Sequence, residues 1–429
     1  MNDPNGLCFF KGEYHVFYQY SKEPQGGNKY WGHFKSRDLI HWQEAPIFLS
    51  PDKEYNKDGV YSGSALVQGE KLHLFYTGNV KEPGDHDYIY TGRQHNTVHV
   101  VSPDGERVAS EEVLLYNKDY PEGLSCHVRD PKVFAYEGKY YMVLGARTKE
   151  DRGQVLLYAS EDLEHWTHIR TFEILANFGY MWECPDLFEI NGQWILMACP
   201  QGLPSSKYEF QNVYSCGYFL MQGDFRKDGY LTEYIEADFG FDFYAPQTFL
   251  QGERRLLLGW MGMPDADYKN PTAALGWQHC MSCFRELDFQ KGRLIMKPAG
   301  EIASRITSRI PLGEDTGLQS IQVEEKTLDM VCRPLEENLQ VRIFDTVQIT
   351  YEKAKGEVVL GFLQGGYGRT ERYCKCRELE TIEIVTDASS VEIFINGGEK
   401  VMSTRMYPEH TEKIEIKGLV KGEIGVLSF

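Results

Sequence analysis

Three carboxylates stand at comparable distances before a glycine in a polar turn: Asp3 nine positions before Gly12, Asp130 eight before Gly138, and Glu183 nine before Gly192. Acids that hold matching places in repeated units can meet in space although they are far apart in the chain. Such a trio suits cleavage of a glycosidic bond: one carboxylate attacks the anomeric carbon, a carboxylic acid protonates the leaving oxygen, and the third holds hydroxyls. A general acid must keep its proton up to about pH 6 to 7, through burial or a nearby like charge. Glu183, between Met181, Trp182, Cys184 and Pro185, has the more apolar local sequence. Asp3 lies among Asn2, Pro4 and Asn5, whose polar groups favour the ionised form that a nucleophile needs.

Each acid taken alone has a plainer reading. Residues Asn2 to Gly6 contain Asp-Pro and Asn-Gly, both strong turn formers. Arg129-Asp130-Pro131 fits a local ion pair beside a turn, and Glu183 fits a charge on a rim. Asp186 is a rival to Glu183 in the same segment, in a different register. The shared register favours the active reading.

The elements that would position these acids are repeated hairpins. Phe9 to Tyr18 matches Val67 to Tyr76, and Ala135 to Leu144, Phe188 to Leu196 and Phe249 to Leu257 continue the series. Each has an apolar run, a glycine-centred polar turn and a second apolar or alternating run, the pattern of a β-hairpin. Glycines 12, 69, 138, 192 and 252 are spaced 57, 69, 54 and 60 residues apart, long enough for four strands per unit. Ser36 to Trp42 echoes Ser160 to Trp166, a turn expected before an outer strand in two units.

The repeat predicts an all-β chain whose residues 1–300 form a five-bladed β-propeller, with coincidental hairpins in a sandwich as the alternative. Residues 301–319, rich in Pro and Gly, are expected to be a linker. From 320 to 429 short alternating strands, among them 339–343, 358–362, 382–385 and 391–395, point to a C-terminal β-sandwich.

Bulk properties narrow the function. A net charge of −18 with no basic run argues against nucleic acid. No long apolar span or secretory signal is seen, so no membrane partner is expected. Ten cysteines at irregular spacing, with Cys280-x-x-Cys283 and Cys374-x-Cys376 forming no two-pair zinc pattern, read as free thiols in a reducing cytoplasm. Secretion stays open, because the chain begins inside a motif and a preceding segment is conceivable. The site as read requires neither metal nor cofactor, and the expected partner is a small carbohydrate.

The same residues resemble the glycoside hydrolase family that contains invertases, sucrose-6-phosphate hydrolases, levanases and inulinases, family 32. The motifs are Met1 to Gly6, Phe17 to Tyr20, Trp31-Gly32-His33, Tyr61 to Ala65, Arg129-Asp130-Pro131 and Trp182 to Asp186, with Phe241 to Gln247 and Gly259 to Met263 farther on. The resemblance implies a five-bladed propeller plus sandwich, and a retaining β-fructofuranosidase acting on sucrose, sucrose-6-phosphate or short fructosides. It implies Asp3 as nucleophile, Glu183 as acid/base, and Asp130 as a transition-state stabiliser beside Arg129. Asn2, Gln19 and Ser62 would complete the grip on fructose, and Trp31, Tyr61, Tyr244 and Trp260 would offer apolar walls. For Gln19, Trp31, Tyr61 and Trp260 a core role competes. A retaining pair should lie about 5 to 5.5 Å apart.

Three features depart from the family's pattern. Ser21-Lys22 and Gly26-Gly27-Asn28 stand where Asn-Pro and Trp-Gly-Asn are common, and Cys283 to Glu286 replaces Leu-Pro-Arg-Glu, a structural change on this reading. The third is the absent lead-in before Met1, which would bring an aromatic to the site. Residues 199–203, 211–214 and 262–268 resemble bacterial sucrose and sucrose-6-phosphate hydrolases and favour short substrates. Lys149, Arg152 and Lys207 are candidates for a phosphate, though each also reads as a solvated loop charge. Rival functions are a non-catalytic fructan-binding protein, an exo-acting levanase or inulinase, and an arabinoside hydrolase on the same fold.

Overall fold

A computed structural model describes residues 1–174, 176–313, 317–410 and 413–429. It is built almost wholly of antiparallel strands. Among the described residues no helix is long and apolar enough to cross a membrane.

Residues 4–298 form five sheets, each from strands consecutive in sequence. The first sheet pairs Pro4–Phe10, Glu13–Tyr20, Tyr30–Ser36 and Trp42–Leu49 in that order. The expected glycine turns close the first hairpins. In Lys11-Gly12, Glu137-Gly138 and Asn191-Gly192 both central residues have positive φ, the two-residue turn whose twist matches the flanking strands. The echoed turn recurs in detail. Asp38 accepts the His41 N–H and meets its Nδ1 at 2.6 Å, and Asp162 does the same for His165 at 2.8 Å.

The opening strands of the five sheets pack on one another in a cycle. Pro4–Phe10 packs on Val60–Gln68, that on Leu124–Tyr136, then Met181–Ile190, then Tyr244–Gln251, which returns to Pro4–Phe10. The sheets thus close a ring, with apolar cores between neighbours such as Phe17, Trp31, Leu74 and Tyr76. This arrangement fits a β-propeller.

The remaining strands make two six-stranded sheets packed face to face over Val341, Ile349, Leu360, Ile384, Ile393 and Met402. All four alternating segments noted above lie in them. The expected linker 301–319 differs. Ile306–Leu312 is a strand paired with Val420–Leu427, because Ile310 and Leu312 find an apolar face to cover. Residues 314–316 of that stretch lie outside the described residues.

Buried ion pairs join ring to sandwich. Asp242, in the crossing between the fourth and fifth sheets, is fully buried and meets Arg369 Nη1 at 2.6 Å and Arg405 Nη2 at 2.8 Å. Arg285, from the Cys283–Glu286 departure, pairs with Asp238 at 3.0 Å and Glu392 at 2.8 Å. Burial alone would raise the Asp242 carboxyl, but Arg405 and Arg369 hold it well below the usual carboxylate range.

A group held down in the folded state adds stability above its unfolded value of about 3.9 and loses it as pH falls. Asp242→Asn should therefore cost about 3 to 5 kcal/mol in urea unfolding at pH 7, by leaving buried guanidinium groups uncompensated. The gap to wild type should narrow below about pH 4.

Candidate active site

The opening strand of every sheet slips register near its start. The slips fall between Asn5 and Cys8, Tyr61 and Gly63, and Glu183 and Asp186, opposite Val143/Gly145 in the third sheet, and between Tyr244 and Gln247. Gly6, Asp130, Cys184 and Ala245 take positive φ of 54°, 65°, 48° and 49° at these bulges. A bulge adds a residue to one strand, bends it and re-aims the side chains around it. For Asp130, Cys184 and Ala245 the left-handed backbone is strain the packing must hold.

The bulges correct the register argument. Counted from them, Asn5, Arg129, Glu183 and Tyr244 hold the same place, each the last paired residue before the slip, and Asp3 stands two residues earlier. Asp130 matches Cys184, not Glu183. The hairpin glycines mislead by two in the first sheet because its strand is shorter beyond the bulge.

Even so, the three acids converge. Asp3 Oδ2 accepts from Ser62 Oγ at 2.6 Å and Gln19 Nε2 at 3.4 Å, and Gln19 also donates to Ser62 at 2.6 Å. Cys184 Sγ lies 3.9 Å from Asp3 Oδ2 and 3.7 Å from Asp130 Oδ2. Asp130 Oδ2 accepts the Cys184 N–H at 2.9 Å, and the Asp130 N–H donates to Thr77 Oγ1 at 2.9 Å. Arg129 donates to Glu183 Oε1 from Nη2 at 2.7 Å and Nε at 3.2 Å, while its Nε lies 3.8 Å from Asp130. Glu183 Oε2 accepts from Gln201 Nε2 and the Tyr244 hydroxyl, both at 2.6 Å.

The electrostatics differ from the local-sequence reading. Asp3 is pushed up by burial foremost; the Ser62 hydrogen bond opposes this, and the Glu183 charge adds to it. Its polar sequence neighbours do not decide its state. Asp130 is driven up to about 7 by burial, against the pull of Arg129 and with help from Glu183. The apolar neighbours of Glu183 point into cores: Met181 and Trp182 are buried, and polar groups from other strands surround the carboxylate.

Of the expected sugar contacts, Ser62 and Gln19 lie on Asp3. Asn2 and Trp260 line an adjoining cavity of about 580 Å³, together with Lys22, Lys29, Asp265 and Trp277. Tyr61 is half-buried, 5.7 Å from His95 between ring centres. Tyr244 is buried and meets Glu183 through its hydroxyl. Trp31 is a correction: it has no exposed surface and packs on Phe17 and Tyr76 with its Nε1 on the Tyr61 carbonyl, so it belongs to the core. Asp186 is fully buried, 3.1 Å from Lys132, and belongs to the ring's interior. Gln201 and Cys184 were not predicted as site residues. Both stand in segments marked for other reasons, but nothing in those segments shows that they reach the acids.

Comparison with known proteins finds a family over most of the chain. Residues 1–298 match the family model described as "Glycosyl hydrolases family 32 N-terminal domain", and 339–425 match "Glycosyl hydrolases family 32 C terminal". The chain is 39% identical over 424 residues to the sucrose-6-phosphate hydrolase of Bacillus subtilis, covering 95% of this chain and 86% of that protein. Among solved structures, the sucrose-6-phosphate hydrolase of Lactobacillus gasseri matches with a TM-score of 0.89 at 28% identity, covering 100% of this chain and 90% of that one. The family 32 β-fructofuranosidase of Bombyx mori matches with 0.87 at 29% identity, covering 100% and 91%.

Asp130 carries a cost that follows from its environment. Its folded value exceeds the unfolded one, so the molecule loses stability as pH rises from about 4 to about 7 and does not regain it above. Asp130→Asn should unfold at higher denaturant than wild type at pH 8, by about 1 to 3 kcal/mol, with the gain shrinking at pH 5. Equal shifts at both pH values would show that the charge is not the cause.

Proposed function

Because this chain belongs to glycosyl hydrolase family 32, we propose that the gathered acids hydrolyse the β-fructofuranoside bond of sucrose or sucrose-6-phosphate with retained configuration. One observation carries the reading: Cys184 bridges Asp3 and Asp130 while Arg129 grips Glu183, so acids from three sheets share one small space. A binding protein would have no need to gather three carboxylates against their mutual repulsion.

Asp3 is the nucleophile. Both of its side-chain hydrogen bonds from Ser62 and Gln19 fall on Oδ2, which leaves Oδ1 to attack the fructosyl C2. Glu183 gives a proton to the bridging oxygen, and then takes one from the water that releases fructose. Arg129, Gln201 and Tyr244 fix the direction of its two oxygens. Asp130, beside both, binds fructosyl hydroxyls and supports the charge that develops on the ring, and Asn2 and Trp260 complete the grip from the cavity side.

The five sheets of residues 1–300 are read as five propeller blades, and the two six-stranded sheets as a sandwich that begins at Ile306 rather than at 320. All ten cysteines are free thiols, which fits an enzyme of the reducing cytoplasm.

Asp3→Ala and Glu183→Ala should each lower kcat on sucrose by about 10³-fold or more while the circular dichroism spectrum stays unchanged. An aryl β-fructofuranoside, whose leaving group needs little protonation, separates their roles. Glu183→Ala should recover much of its loss on it, and Asp3→Ala should not. Proton NMR of the first-formed fructose should show the β-anomer. The α-anomer would remove Asp3 as nucleophile.

A further inference from the structure

Residues 211–214 and 262–268 come from different sheets, and the structure ties them together. The first belong to an excursion that leaves the fourth sheet after the strand Gln193–Gln201 and returns to it at the strand Gly217–Gln222. The second follow the strand Arg254–Met261 of the fifth sheet, and Asp265 among them takes a positive φ of 56°. The Tyr214 hydroxyl donates to Asp265 Oδ2 at 2.6 Å, which links the two excursions. The Tyr180 hydroxyl donates in turn to that of Tyr214 at 3.4 Å. Burial foremost, then the bond to Asp265, raises the Tyr214 hydroxyl well above the usual tyrosine range, so it stays a donor at neutral pH.

Tyr214 meets both groups that hold one oxygen of Glu183. That oxygen, Oε2, accepts from Gln201 Nε2 and from the Tyr244 hydroxyl, both at 2.6 Å. Gln201 forms an antiparallel backbone bridge with Tyr214, and the Tyr244 ring lies 6.2 Å from that of Tyr214, tilted by 41°. Gln201 is the last residue of its strand, where pairing opens readily unless the chain beyond is fixed. The excursion is fixed at its far part by the sandwich. Lys207 and Tyr208 donate to Glu357 Oε2 at 2.7 and 2.8 Å, so Lys207 already has its anion. Gln211 exchanges two hydrogen bonds, each of 2.8 Å, with the Tyr373 backbone. The part that reaches Gln201 is fastened by Tyr214 and Asp265.

We propose that the Tyr214–Asp265 hydrogen bond is a latch that positions Gln201 and Tyr244 on Glu183, and so sets the aim and strength of the acid that protonates the leaving oxygen. This rests on the reading of Glu183 as acid/base. Two donors on Oε2 favour the ionised form, which makes the protonated form a stronger acid. With the latch open both donors loosen. Glu183 then holds its proton to higher pH, gives it up less readily and points it less well at the leaving oxygen. Tyr214 and Asp265 are positioning residues that act through Gln201 and Tyr244.

The test measures kcat/KM on sucrose and on an aryl β-fructofuranoside for wild type, Tyr214→Phe, Asp265→Ala, Asp265→Asn and the double variant Tyr214→Phe/Asp265→Ala. Tyr214→Phe removes a single oxygen and should lower the sucrose value by about 5- to 10-fold, the loss of one hydrogen bond. On the aryl substrate, whose leaving group needs little protonation, it should change the value by less than about 2-fold. Asp265→Ala should match it on sucrose, and the double variant should be no worse than either single change, as for two ends of one interaction. Asp265→Asn keeps an acceptor for the hydroxyl and should stay within about 2-fold of wild type. The alkaline limb of the sucrose pH profile should move up by about half a pH unit in Tyr214→Phe and stay in place in Asp265→Asn. Equal losses on both substrates would mean a general loosening of the fold, and additive losses would mean that each residue acts alone. Either result, an unchanged sucrose value or an unmoved alkaline limb overturns the latch. A wild type that cleaves neither substrate ends the hydrolase reading and the latch's role with it, whereas a contrary variant beside an active wild type ends the latch alone.

Discussion

Arg129 lies between two of the acids and makes their proximity tolerable. Three carboxylates in a desolvated space repel one another and each pays for its burial, which drives Asp130 to about 7. A guanidinium on Glu183 Oε1, with its Nε 3.8 Å from Asp130, offsets both costs, and it comes from the same bulge as Asp130. Arg129 and Glu183 hold the same place before their bulges. An acid on one strand thus meets a base on the next because the ring repeats, and the ion pair stitches neighbouring sheets where the three acids gather.

The bulges supply the other half of the constraint. A regular strand alternates side chains between two faces, and would send residues 129 and 130 opposite ways. The left-handed backbone at Asp130 turns its carboxylate back toward Cys184, so that adjacent residues serve the same site. At Cys184 the same turn aims a thiol between Asp130 and Asp3. Neither residue takes this conformation readily, and the strain is held by the surrounding cores.

Away from the site, buried charges serve assembly. Asp242 and Arg285 satisfy partners on the strand Lys400–Arg405, next to backbone bonds from Phe239 and Phe241 to that strand. The segment 237–243 leads directly into the strand that bears Tyr244. The sandwich is thereby fastened to the chain that delivers a hydroxyl to Glu183, which is a physical reason for it to matter to a site it does not line.

Much of this was legible in the residues. Hairpins announce themselves locally, because a turn with positive φ calls for glycine and the flanking runs must alternate or be apolar, so the repeats, the outer turns and the sandwich strands could be placed from spacing alone. That three acids far apart in the chain would meet was legible too, since a repeat sends equivalent strands to one axis. Other features depended on contacts between segments distant in sequence. The bulge of the first sheet shifts the register by an amount no local pattern records, so Asn5 and not Asp3 matches Glu183. Trp31 is indistinguishable in sequence from a sugar-stacking aromatic until its neighbours close over it. Gln201, Tyr244 and Arg129 reach Glu183 from three different strands, and burial rather than sequence neighbours governs Asp3. Residue type and turn chemistry are local properties and were determined by the sequence; desolvation, charge pairing and the aim of a side chain arise only when distant strands meet, and the tertiary structure decided them.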